Sequence, residues 1–189
     1  MLIPLIPHES TYTSGATRLS FSSHQTISRD EKVSRLLPFY SLPEEVDQSI
    51  LKTAKGKPYF SSLPLCVSLT DSGPYDVLAI SPEEIGIDLQ IHKKMRYLSL
   101  AKRFFHPDEY SYLLSLPAEY QPDAFFLLWT SKEAYVKYTG DGIDQNFSKF
   151  SVFSVPETIS SIQIDGCMTL SICQKKPLPI IFYLHCCGG

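Results

Sequence analysis

The chain has 189 residues, 43% of them hydrophobic and 12% aromatic, with 17 basic against 20 acidic side chains and a formal net charge of −3. That composition fits one globular domain or two small subdomains and excludes a disordered tail. It carries no basic footprint for nucleic acid or an anionic membrane surface, and no apolar run reaches the roughly 20 residues that span a bilayer.

Along the chain, strands are expected in LIPLI (2–6) and TRLSFSS (17–23), and a polar helix from Arg29 to Leu37, stopped by Pro38. The opening MLIPLIPHEST has no basic n-region and two prolines, so it reads as a first strand, not a signal peptide. PEEVDQSILKTA (43–54) predicts a second helix, with Pro43 at its start, acids in its first turn and Gly56 past its end. LCVSLT (65–70), YDVLAIS (75–81) and EIGIDLQI (84–91) predict strands, the first two joined by a tight turn in TDSGP. LSLAKRFF (98–105) predicts a helix, Pro107 with Asp108 and Glu109 starts another, and Pro122–Asp123 open a long one that ends at Gly140. Strands return in FSKFSVFSV (147–155), SIQI (161–164), MTLSIC (168–173) and IIFYLHCC (180–187). The order implies an α+β fold, with a weak linker near residues 81–86 separating an N-terminal subdomain (1–84) from a C-terminal one (85–189).

Five cysteines, at 66, 167, 173, 186 and 187, form no CxxC pair, which fits free thiols in a reducing cytoplasm. His185-Cys186-Cys187 lacks the distant partner ligands that a zinc site needs. Without a GxSxG elbow, a serine hydrolase has no support either.

The long helix carries charge where core is expected. With Phe125 set at 0° and 100° per residue, Leu128, Val136, Trp129 and Phe126 span an apolar arc; Lys132 falls at about 340° and Glu133 at about 80° inside it, with Lys137 on its margin at about 120°. Lys and Glu are rarely buried without a partner or an ion. One reading has the lysines snorkelling while Glu133 pairs with Lys137. The other comes from the strand IGIDLQI, whose alternation projects Asp88 and Gln90 together, roughly 7 Å apart. With Glu133 brought against them, they make an all-oxygen site suited to Mg2+. On the first reading, Asp88 and Gln90 belong to the solvated face of an edge strand.

GIDLQ (86–90), RFFHPDEYSYLL (103–114) and LLWTSKEAYVKYTGDGI (127–143) occur in that order, preceded by GKPYF (56–60) and VSLTDSG (67–73). This series resembles the 4'-phosphopantetheinyl transferases of the Sfp type, with their G-[IV]-D-x-E strand, [RK]-F-F-x-x-x-E segment and W-[ST]-x-K-E-[AS]-x-x-K-x-x-G helix. The resemblance covers residues 54–154 and implies two similar α+β subdomains related by a pseudo-twofold axis. The implied activity moves the phosphopantetheine arm of coenzyme A onto a serine of an apo acyl or peptidyl carrier protein, with Mg2+, releasing 3',5'-ADP. It implies Asp88, Gln90 and Glu133 as metal ligands and Glu109 as the base. Lys137 would sit on the diphosphate, Lys132 near the phosphates, and Lys57, Thr70 and Asp71 where the family contacts the coenzyme. Arg29, Lys32 and Arg35 are candidates for the 3'-phosphate. The expected partners are coenzyme A and the carrier, with neither nucleic acid nor membrane, and the chain is expected to act as a monomer. Two positions depart from the family: Gln90 stands for a usual carboxylate and Asp71 for a usual histidine. They motivate the alternative of a catalytically impaired homologue that binds coenzyme A or a carrier.

Overall fold

The computed structural model describes residues 2–4, 15–23, 27–43, 45–142 and 147–185. A five-stranded sheet has the order β1 (Leu2–Pro4), β10 (Ile180–His185), β2 (Thr17–Ser23), β6 (Tyr75–Ser81), β5 (Cys66–Ser72). A three-stranded antiparallel sheet has the order β7 (Ile85–Ile91), β9 (Met168–Gln174), β8 (Thr158–Ile164). Helix α1 (Arg29–Leu36) packs on the first sheet; α2 (Tyr97–Phe104) and α3 (Pro107–Ser115) lead into α4 (Gln121–Thr139), which lies across β7 and β9. The fold is α+β, as expected. The two sheets do not divide the chain at residue 84, because β10 returns to pair in parallel with β2 and antiparallel with β1.

Two expected elements differ. Residues 45–49 form no helix, and Ile50–Lys52 (β3) pairs with Pro58–Phe60 (β4) in a short ribbon. Gly56, with φ of +86°, turns that ribbon instead of ending a helix, and Thr53 N donates to the Lys57 carbonyl across it at 2.9 Å. Nor is 147–155 a strand. Phe147–Lys149 form a 3-10 turn, with the Phe147 ring edge-on to Trp129 and the Phe150 ring against Tyr135. Of the segment 180–187, the last two residues lie outside the described ones, as do residues 5 and 6 of the first strand.

The strand β7 is enclosed on both faces. Ile85, Ile87 and Leu89 are at most 1% exposed and pack with Leu19, Val77, Leu170 and Ile172 between the sheets. The other face meets α4 so closely at Gly86 that an added methyl carbon would stand 2.0 Å from the Ala134 carbonyl oxygen and 2.3 Å from Tyr138 N. Only a residue without Cβ lets strand and helix backbones approach like this. Among the described residues, no helix is long and apolar enough to cross a membrane.

Candidate active site

An open cleft of about 1090 Å³ runs between β5, β7, α4, the start of α1 and the β3–β4 ribbon. β7 contributes Asp88 and Gln90 to its lining, and α4 contributes Glu133 and Lys137. Arg29, Lys32, Lys52, Lys55 and Lys57 line it as well, as do Asp71, Asp76 and Asp141. Asp88 is 7% exposed and Glu133 8%, so the solvated-edge reading of Asp88 does not hold.

Asp88 Oδ1 accepts two hydrogen bonds, from Lys137 Nζ at 2.8 Å and Thr70 Oγ1 at 3.1 Å. Burial raises the Asp88 carboxyl pKa against the pull of Lys137 and Thr70. Glu133 is pushed up to about 7, first by burial and then by the charge of Asp88, with Lys137 opposing. Two buried carboxylates facing one lysine are under-compensated, and a divalent cation would relieve both. The snorkelling reading put Lys137 on Glu133; its ammonium instead bonds Asp88. Gln90 donates through Nε2 to Ser72 Oγ at 3.3 Å and to the Ile91 carbonyl at 3.1 Å. Among the described residues no group of three His, Cys, Asp or Glu side chains converges, because the third place here is an amide. Two carboxylates and an amide carbonyl remain an all-oxygen set of the kind Mg2+ takes when phosphates and water complete its shell.

Glu109 and Lys132 are not brought to this cleft. Both are 0% exposed and paired with one another, Lys132 Nζ lying 2.8 Å from Glu109 Oε2. Glu109 also accepts from the backbone N–H of His106 at 2.9 Å and of Val152 at 2.7 Å. Lys132 donates to the Phe150 carbonyl at 2.7 Å and stands 4.0 Å over the Phe150 ring. This self-satisfied knot ties α3, α4 and the 147–152 segment together. Glu109, expected as a base, and Lys132, expected near phosphate, are thus both sealed from solvent and absent from the cleft lining.

The basic candidates separate in the same way. Lys57 lines the cleft but is engaged, donating to the Tyr138 carbonyl at the end of α4 and pairing with Glu84 at 2.8 Å. There it offsets the negative end of the helix dipole. Lys32, 1% exposed, pairs with Asp76. Arg29 is exposed on the cleft, whereas Arg35 turns away to Glu31 and to His185 Nδ1 at 3.2 Å. Arg35 is not part of the cleft lining. Asp71 is exposed on the cleft wall, and Thr70 is 6% exposed beside it. Sequence reasoning missed Lys52 and Lys55, which a helical reading of 43–54 concealed. It also missed Ser68 and Ser72, although S-x-T-x-S at alternate positions 68, 70 and 72 was visible as one strand face.

In this α+β protein a strand carboxylate and a helix carboxylate thus meet on one cleft lined by both basic and acidic side chains. The family model described as the 4'-phosphopantetheinyl transferase superfamily matches residues 84–176, the segment that supplies β7 and α4. The chain is 31% identical to the 4'-phosphopantetheinyl transferase psf-1 of Bacillus pumilus over 93% of its own length and 82% of that protein. It is 28% identical to the 4'-phosphopantetheinyl transferase Sfp of Bacillus subtilis, over 82% of this chain and 75% of the relative. A shorter match, to HetI of Nostoc, is 45% identical over 48% of this chain and 40% of that protein. This chain belongs to the 4'-phosphopantetheinyl transferase superfamily.

Proposed function

We propose that the chain transfers the 4'-phosphopantetheine arm of coenzyme A to a serine of an apo acyl or peptidyl carrier protein, with Mg2+, and releases 3',5'-ADP. The observation that carries this reading is that two buried carboxylates, Asp88 and Glu133, feel each other's charge on one cleft that lysines and an arginine also line. The reaction joins the serine oxygen to the phosphorus of the pantetheine arm, breaks the phosphorus–oxygen bond to the nucleotide, and releases the serine proton to solvent. Such a displacement mainly needs positioning and stabilisation of charge.

Asp88, Glu133 and the Gln90 carbonyl would hold the Mg2+, which supplies charge neutralisation at the diphosphate. Lys137, bonded to Asp88, stabilises the leaving phosphate. Arg29 and Lys52 offer the nucleotide positive charge from the cleft wall, beside Lys32, Lys55 and Lys57, whose charges are shared with Asp76, Asp141 and Glu84. Trp129 and Val136 add apolar wall. Glu109 and Lys132 act only by holding α4 in place.

Incubation with coenzyme A, Mg2+ and an apo carrier, followed by mass spectrometry of the carrier, tests the reading. The expected result is a gain of one phosphopantetheine arm. The exposed Asp71 carboxylate, which would repel phosphate from the same wall, favours a second reading: a binding module without turnover. Coenzyme binding with no mass gain on several carriers would establish that one.

A further inference from the structure

The amide groups of β7 pose an accounting problem. One edge of the strand pairs with β9 through its backbone, and the other edge meets the face of β5 that carries Ser68, Thr70 and Ser72. Buried N–H groups on that second edge need acceptors from elsewhere. They find side-chain hydroxyls: Ile87 N donates to Ser68 Oγ at 3.1 Å, Leu89 N to Thr70 Oγ1 at 3.0 Å, and Ile91 N to Ser72 Oγ at 3.0 Å. Every rung joins residues 19 apart, so the seam is a parallel ladder of alternate positions with hydroxyls in place of carbonyls.

The middle rung also reaches the site. Thr70 Oγ1 accepts from Leu89 N and donates its single hydrogen to Asp88 Oδ1 at 3.1 Å. A hydroxyl has one hydrogen to give, so this Thr70 has none left for a phosphate oxygen. Lys137 Nζ bonds that same Oδ1, and among the described residues no hydrogen bond engages Oδ2. We propose that Thr70 is a positioning residue: it locks β7 to β5 beside Asp88 and fixes Oδ1, so that Oδ2 is the oxygen offered to a divalent cation. This rests on the metal site proposed above, and it assigns Thr70 a role other than the coenzyme contact expected from its motif.

Thr70→Val keeps the branched shape and removes both hydrogen bonds, whereas Thr70→Ser keeps them. Mn2+ affinity without coenzyme, read by electron paramagnetic resonance, is expected to fall about tenfold in Thr70→Val, the lower end of what losing a group behind a metal ligand costs. Leu89 amide exchange should quicken in that variant, and Thr70→Ser should restore both readouts. Coenzyme A affinity measured in EDTA should stay at the wild-type level. Wild-type Mn2+ affinity in Thr70→Val, or a loss confined to coenzyme binding in EDTA, would overturn the role. Ser68→Ala removes a rung without touching Asp88, and it keeps the idea testable should Thr70→Val not fold. It is expected to speed Ile87 exchange alone, and an equal loss of Mn2+ affinity in Ser68→Ala would show that any loosened seam suffices, against a specific role for Thr70. If Glu133→Gln binds Mn2+ as well as wild type does, the metal site itself is wrong and this role goes with it.

Discussion

Lys132 and Glu133 are sequence neighbours on one helix, both nearly sealed from water, yet they belong to opposite kinds of site. The Lys132–Glu109 pair is complete: ion pair, two backbone donors on the carboxylate, a carbonyl and an aromatic face on the ammonium. Around Glu133 the account does not close, because it shares a cleft with Asp88 and the ammonium that opposes their charge, Lys137, bonds Asp88. A buried charge that is fully satisfied within the protein is architecture. One left under-compensated and open to a cleft awaits a partner.

The comparison breaks most sharply in the Glu133→Gln variant. Transfer to an apo carrier should fall at least about 100-fold, the upper end of the range for damage around a bound metal, while thermal stability changes little. Near-normal turnover would show that Glu133 is as structural as Lys132. For the complete pair the expectation reverses: Lys132→Met leaves Glu109 buried and unpaired, at a cost of about 3–5 kcal/mol in denaturant unfolding. The double variant Lys132→Met/Glu109→Leu should recover much of that loss, and a mild effect of the single change would mean Glu109 is not dry.

Gly86→Ala is expected to cost about 3 kcal/mol, at the high end for overpacking, because backbone and not a pliable side chain blocks the new methyl. It should weaken Mn2+ binding too, since Asp88 would move away from α4. A smaller effect comes from pH. The folded Glu133 carboxyl lies near 7, above its ordinary 4.5, so a proton competes with any cation there as pH falls below about 7. Mn2+ affinity should rise with pH up to that point and then level. Without metal the sign reverses: stability from the protonated group, present at low pH, is lost as pH climbs through 7. A flat affinity between pH 5.5 and 8 would contradict the burial of Glu133.

The sequence made much of this legible for definite reasons. Alternation in IGIDLQI marked β7, and Pro122 with Gly140 bracketed α4. The helical angles placed both charges inside the apolar arc, Lys132 at about 340° between Phe125 and Leu128 and Glu133 at about 80° between Trp129 and Phe126, without separating their roles. Burial was less legible. Glu109 was read as a base from its motif position, and nothing local reveals that Val152 N and Lys132 close around it. The 43–54 segment failed because a proline, early acids and a following glycine suit a ribbon turn as well as a helix. The seam between β5 and β7 stayed hidden because side-chain acceptors for a strand edge leave only a weak trace, three hydroxyls at alternate positions.

Anomalous scattering from a crystal soaked in Mn2+ tests the central claim most directly. The account predicts one strong peak within bonding distance of both an Asp88 oxygen and a Glu133 oxygen. A peak elsewhere, or no peak at all, would contradict it.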